Sequence, residues 1–147
     1  MMNESFTAET YLKSAGIIPT IQRTIVLNDL YHHRTHATID EICERVRVHY
    51  PKFTQRTVYN TLNLFVSKGL VAELTIDEKC TRYDFDTTFH AHFLCTNCGT
   101  IFDVHKAKMR YRLPRNYTVQ TAHSYIYGIC AACNKAQKRQ ATYFINN

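Results

Sequence analysis

The sequence predicts an α+β chain in two parts, and three observations carry the prediction. Apolar residues recur at helical spacing as far as Gly69, strand-like alternation takes over after it, and two Cys-x-x-Cys pairs stand in the second half. With 147 residues and 45% apolar content, the chain has room for one domain or two small ones, each with a real core. The expected division is 1–86 for the helical part with its hairpin and 87–147 for a small α/β part carrying the cysteines.

The elements follow in order. Thr7 to Ala15 reads as a short helix stopped by Gly16, and Pro19 opens a new element. Thr20 to His33 places Ile21, Ile25, Leu27, Leu30 and Tyr31 at near-helical spacing. A third helix opens on Thr38-Ile39-Asp40-Glu41, a capping box in which the threonine accepts from the backbone and the glutamate reaches back. Ile39, Ile42, Cys43, Val46 and Tyr50 share its apolar side, which makes Cys43 a small buried hydrophobe, and Pro51 ends it. The fourth helix runs from a Thr54 cap through QRTVYNTLNLFVSK to Gly69. Val58, Leu62, Phe65 and Val66 form its buried face, leaving Arg56, Tyr59, Asn60, Asn63 and Ser67 outward. Two strands follow, Leu70–Ile76 and Thr81–Asp86, joined at Asp77-Glu78-Lys79.

The outward face of the fourth helix carries no acid. It offers a cation for phosphates, a tyrosine ring for thymine methyl groups and amides that match the adenine edge. An ordinary solvated face has the same look. Three helices, the last amphipathic, followed at once by a hairpin make a winged helix-turn-helix, and that succession favours double-stranded DNA as partner. The net charge of +6 agrees without deciding the matter. Its distribution says more: residues 71–105 hold two Lys/Arg against six Asp/Glu, whereas 106–147 hold eight against none. The acids gather where the histidines are. No N-terminal leader pattern and no run of about 18 apolar residues occurs, so a cytoplasmic protein is expected.

The stretch from His90 to Asp103 alternates hard and soft metal ligands. Cys95, Cys98, Cys130 and Cys133 form two Cys-x-x-Cys pairs with 31 residues between them, room for a helix and a strand pair. Four thiolates suit a closed, structural Zn²⁺ site. The competing reading is a thiol redox pair that Cys80 joins. His90 and His92, two apart on a strand, face the same way, and Asp84 and Asp103 supply oxygen donors beside them. His36 stands just ahead of the capping box, where spacing alone makes it a surface loop residue. If it folds back, three nitrogens and two carboxylate oxygens would balance a divalent ion and favour Fe²⁺ or Mn²⁺ over Zn²⁺.

Taken together these residues resemble the ferric uptake regulator (Fur) family over nearly the whole chain. The likeness rests on Leu12-Lys13-Ser14-Ala15-Gly16-Ile17, Gln22-Arg23, Thr57-Val58-Tyr59-Asn60-Thr61-Leu62, Lys68-Gly69-Leu70-Val71, Arg82-Tyr83-Asp84, His90-Ala91-His92, Cys95-x-x-Cys98-Gly99, Asp103 and Tyr127-Gly128-x-Cys130-x-x-Cys133. The resemblance implies a transcriptional repressor that binds a palindromic operator as a homodimer. It makes residues 87–147 a dimerisation domain stapled by zinc, and His36 a regulatory ligand alongside Asp84, His90, His92 and Asp103. It also adds Lys13, Arg23 and Thr57 to Arg56, Tyr59, Asn60 and Asn63 as DNA contacts. Aspartate at both Asp84 and Asp103 resembles the peroxide-sensing (PerR) branch, in which Fe²⁺ at the site would react with H₂O₂ and oxidise His36 or His90, while Mn²⁺ would not.

Two departures from the family pattern stand out. Asp103 to Cys130 is shorter than usual, with the basic stretch Lys106–Pro114 where a dimerisation helix would run, and His123 is out of register with a histidine that relatives use. Phe89 and Ala91 occupy the places of a second metal site, so one regulatory site is expected. An iron- or zinc-responsive repressor, the latter kept open by Cys80, is the alternative within the family. A non-haem iron enzyme with a zinc knuckle is the alternative outside it, but no enzyme activity is expected.

Overall fold

Four threonines set the starts of four helices. Thr7, Thr20, Thr38 and Thr54 each accept from the backbone N–H three residues on, opening α1 (Ala8–Ser14), α2 (Ile21–His32), α3 (Ile39–His49) and α4 (Gln55–Ser67). Each such cap contributes about 1 kcal/mol by satisfying a donor the helix cannot. The expected capping box is complete: Thr38 Oγ1 accepts from Glu41 N–H at 3.2 Å and Glu41 Oε2 from Thr38 N–H at 2.7 Å. Gly69 turns the chain out of α4 at φ +68°, a conformation that costs a side chain about 1 kcal/mol or more.

The computed structural model describes residues 6–105, 110 and 112–137. The chain divides into two units, Met1–Thr87 and Thr88–Asn147. In the first, the inward faces of the four helices close over Leu12, Val26, Leu27, Leu30, Ile42, Val46, Val58, Leu62 and Phe65. Cys43 is buried among them, as its place on the apolar stripe predicts. A short antiparallel pair, β1 (Ala72–Leu74) with β2 (Arg82–Asp84), follows α4 and pairs Ala72 with Asp84.

Four details differ from the sequence reading, the first being that Tyr50, placed on the apolar side of the third helix, is its C-cap and 45% exposed. Ile21 is 75% exposed, because α2 turns Val26, Leu27 and Leu30 inward instead and spends part of that face on Asp29. On α4, Thr61 is buried in place of the half-buried Val66, its hydroxyl donating to the Thr57 carbonyl at 2.8 Å. The hairpin loop is longer than the predicted turn and is organised by Asp77, which accepts from Lys79 N–H, from the Cys80 thiol and from Arg82. Those bonds, the backbone one first, hold the Asp77 carboxyl below its ordinary value. Arg82 also reaches Glu41 of the capping box at 3.4 Å, tying the loop to α3.

Asp29 is buried and takes a two-pronged contact from Arg45 of α3, at 2.9 and 2.6 Å. Removing the guanidinium leaves a carboxylate inside the helical core. Arg45→Met should therefore lower the stability of this unit by about 2 kcal/mol in urea denaturation; an unchanged midpoint would contradict the pairing.

The second unit is built on a three-stranded sheet in the order β4-β3-β5, with β3 (Ala91–Cys95), β4 (Ile101–Val104) and β5 (Ser124–Gly128). β3 runs antiparallel to β4, with His92 opposite Asp103, and parallel to β5, with Cys95 opposite Gly128. The connection between β4 and β5 includes residues 106–109 and 111, which lie outside the described residues, and with them most of the basic stretch where a dimerisation helix is expected. Residues 112–123 form no regular element, and residues 131–137 are helical.

Candidate metal centres and nucleic-acid interface

In the first unit the backbone brings His36 to Asp84. Tyr83 N–H donates to the Ala37 carbonyl at 3.0 Å, so the segment before α3 pairs with β2 and acts as a third strand one residue long. His36 adopts φ +50°, a left-handed conformation rare for a residue with a side chain and a form of strain that collects at functional sites. The result is a buried pair, His36 Nε2 to Asp84 Oδ2 at 3.6 Å. Asp86 N–H donates to the other oxygen of Asp84 at 2.9 Å and fixes how the carboxylate points.

The second unit assembles its own set from two strands. His92 and Asp103 are cross-strand partners, and His90 lies two residues earlier on the same face. His90 Nε2 is 3.2 Å and His92 Nε2 3.7 Å from Asp103 Oδ1. The Thr88 carbonyl lies 2.8 Å from His90 Nδ1 and holds a proton there, leaving the Nε2 lone pair for a cation. Two ligand atoms on one ion with bonds of about 2.1 Å lie about 3.0 to 3.4 Å apart when adjacent, so these spacings need only small adjustments. Two imidazoles and a carboxylate suit a divalent cation of intermediate hardness.

Sequence reasoning missed His105. Its Nε2 is 3.9 Å from Asp103 Oδ2, and its ring lies 5.1 Å from that of His90, centroid to centroid. The signal was available, since residues 103 and 105 are two apart at the end of a strand and such residues share a face.

The four cysteines Cys95, Cys98, Cys130 and Cys133 converge with every pair of sulfurs within 4.8 Å. Gly99, at φ +74°, turns the chain between Cys98 and β4 while its N–H donates to the Cys95 carbonyl at 2.8 Å. The two knuckles are joined where Thr96 N–H donates to the Gly128 carbonyl at 2.7 Å. Cys130 N–H donates to Cys95 Sγ at 3.3 Å, and this bond, with those from Cys98 and Asn97, draws the Cys95 thiol down to about 6. Hydrogen bonding from Thr100 lowers Cys98. Cys133 is held down by the Asn97 side chain, but its sulfur neighbours, with Cys130 foremost, and desolvation push it up to about 11. Backbone N–H groups aimed at sulfur are the environment of a thiolate that binds metal.

Cys80 stands apart from this cluster. Its thiol donates to Asp77 Oδ2 at 3.2 Å, and burial followed by that bond raises its pKa, so it is a neutral thiol in the hairpin loop. Among the described residues it belongs to no group of metal-capable side chains. His123 stacks on Tyr125 and hydrogen-bonds with Thr121.

On α4, Arg56, Tyr59, Asn60 and Asn63 are exposed, as their spacing predicts, and Thr57 is half-buried. Arg56, Tyr59, Asn60 and Asn63 line one groove with Glu73, Thr81 and Tyr83 of the hairpin. Asp40 and Glu73 bring carboxylates to this groove, which the helix sequence alone does not show, and the Gln55 amide bonds Asp40. Lys13 is exposed on α1. Arg23 is partly committed, because its guanidinium donates to the Ile18 carbonyl at 2.7 Å and closes the loop before α2.

Comparison with known proteins agrees with this architecture. The Peroxide operon regulator of Bacillus subtilis (strain 168) is 34% identical over 131 residues, 86% of this chain and 90% of that protein. Among solved structures, the Campylobacter jejuni peroxide stress regulator superposes with a TM-score of 0.62 at 27% identity, covering 85% of this chain and 95% of that one. A zinc uptake regulator in complex with zinc and DNA superposes with a TM-score of 0.63 at 21% identity over 89% and 93% of the two chains, a likeness of fold. The model of the ferric uptake regulator family matches residues 14–127, so the chain belongs to that family of metal-responsive regulators.

Proposed function

We propose that this chain is a DNA-binding repressor in which one regulatory cation, Fe²⁺ or Mn²⁺, is held by His36, Asp84, His90, His92 and Asp103. The observation that carries the reading is the donor chemistry. Each unit presents buried imidazole beside carboxylate, and the five side chains together make a neutral set around a divalent ion. Cys95, Cys98, Cys130 and Cys133 hold a structural Zn²⁺ in a closed, all-sulfur site. Residues 87–147 form the dimerisation domain of a homodimer, and residues 1–86 form the DNA-binding head.

In that dimer both α4 helices enter successive major grooves of a palindromic operator, about 34 Å apart. Asn60 and Asn63 read base edges, Tyr59 contacts thymine methyl groups, and Lys13, Arg23, Arg56 and Thr57 meet the backbone. The zinc uptake regulator whose structure includes DNA shares the fold that this arrangement needs. Asn60→Ala should weaken binding to a duplex selected from a random pool by about tenfold or more while changing binding to unselected DNA little. An equal loss on both duplexes would remove α4 from base reading.

The signal is hydrogen peroxide. The similar proteins from Bacillus subtilis and Campylobacter jejuni are named for peroxide. Bound Fe²⁺ would start the cleavage of H₂O₂ by lending one electron and recovering it from the ring, so that overall an imidazole beside it loses two electrons and gains one oxygen while the other peroxide oxygen leaves as water. The likeness to the peroxide-sensing branch points to His36 or His90 as the ring that would be oxidised. Peroxide treatment of the Fe²⁺-loaded protein should add one oxygen, about 16 Da, to a peptide holding His36 or His90, and the Mn²⁺-loaded protein should stay unmodified. Unmodified histidines in both forms would leave a metal sensor that does not respond to peroxide.

A further inference from the structure

Asp103 has histidines on both of its oxygens, and only those on one side belong to the regulatory set. Oδ1 faces His90 and His92 at 3.2 and 3.7 Å, while Oδ2 faces His105 at 3.9 Å. Ligand atoms of His90 and His105 also lie within 4.8 Å of each other. Two donors on one ion with bonds of about 2.1 Å are separated by at most about 4.2 Å. Adjacent ligands lie closer, at about 3.0 to 3.4 Å, so a swing of up to about 1.5 Å would bring the His105 imidazole into ligand range beside His90 and Asp103. The imidazole of His105 is 62% exposed and sits just past the end of β4, so it has room for that swing, whereas His90 and His92 are buried and fixed.

Resting on the regulatory site proposed above, we infer that His105 is an entry ligand. When His36 and Asp84 are not engaged, His90, His92, Asp103 and His105 hold the cation on the second unit alone. Three neutral imidazoles and one carboxylate leave a divalent ion with a net positive charge, whereas the full regulatory set neutralises it. The entry set is accordingly the weaker one, and the arrival of the Asp84 carboxylate favours transfer away from His105. An exposed imidazole meets incoming cations first, and the two buried ones retain them.

The test uses the full-length, zinc-loaded chain and Mn²⁺ as the probe, with affinities measured by competition against a fluorescent chelator. His36→Ala/Asp84→Ala should still take up one Mn²⁺ per chain at reduced affinity, and adding His105→Ala should weaken that residual binding by about tenfold or more. In the wild-type background, His105→Ala should change the equilibrium affinity less than threefold, on the order of a weak contact, but slow Mn²⁺ association in stopped flow. Co²⁺ provides a direct readout. His36→Ala/Asp84→Ala/His105→Cys should gain a thiolate-to-cobalt charge-transfer band that His36→Ala/Asp84→Ala lacks.

Equal Mn²⁺ affinity in the double and triple alanine variants, with no new cobalt band, would overturn the entry role. A wild-type chain that takes up no Mn²⁺ beyond its zinc would instead overturn the regulatory site itself.

Discussion

Cys95→Ser is expected to unfold the second unit while leaving helices α1 to α4 intact. The described core of that unit is small: Ala91, Cys95 and Ile101 are its buried apolar residues, and His90 and His92 are buried beside them. So little apolar area does not offset the entropy of ordering two strand pairs and the chain that joins them. A structural zinc contributes about 10 to 16 kcal/mol to the folding of small domains that hold one. Cys95 is the cysteine most deeply set in the cluster, at the end of β3 with three backbone N–H groups on its sulfur, and serine cannot replace it as a soft anionic ligand. Hydrogen exchange should show protection lost across residues 88–137 and kept across the helices of the first unit. Retained protection and zinc content in the serine variant would show that the sheet stands without the ion.

Asp103→Asn should lower Mn²⁺ affinity about 100-fold, equivalent to about 2.7 kcal/mol, with little effect on the stability of the metal-free chain. The substitution is nearly isosteric and keeps the register in which residue 103 opposes His92. It removes one of the two charges that neutralise the ion and replaces one carboxylate oxygen with an amide nitrogen. The Cys₄ site is on other residues, so zinc content should not change. Titration of the zinc-loaded variant with Mn²⁺ checks both points, and affinity within twofold of wild type would take Asp103 out of the site.

Much of this was legible in the sequence because local chemistry dictated it. Each helix of the first unit begins at a threonine with its own backbone donors in reach, and both Cys-x-x-Cys pairs sit in knuckles whose geometry is largely set by a few adjacent residues. His90 and His92 share a face because strand alternation requires it. What could not be read depended on partners far apart in the chain. The bridge from Ala37 to Tyr83, which turns His36 from a surface loop residue into a buried neighbour of Asp84, joins segments 46 residues apart. Ile21 faces outward because nine residues at helical spacing put it opposite Leu30, so its exposure was legible in α2 itself, whereas the burial of Asp29 depends on Arg45 of another helix. The parallel pairing of β5 with β3 brings the second cysteine pair to the first, and the long connection before it carries no periodicity to announce the strand. Asp40 and Glu73 reach the α4 groove for the same reason, since neither belongs to the helix whose face was read.

A cation shifts a conformational equilibrium only by as much as its affinity differs between the two states, and the coupling is reciprocal. If one ion on His36, Asp84, His90, His92 and Asp103 sets the DNA-binding arrangement, DNA must strengthen the hold on that ion by the same factor. The direct measurement is therefore the affinity of the zinc-loaded protein for a selected palindromic duplex, without and with saturating Mn²⁺. Mn²⁺ should tighten binding by about 10- to 100-fold, and the duplex should tighten Mn²⁺ binding equally. Equal DNA affinity in the two conditions would contradict a cation that governs the repressor.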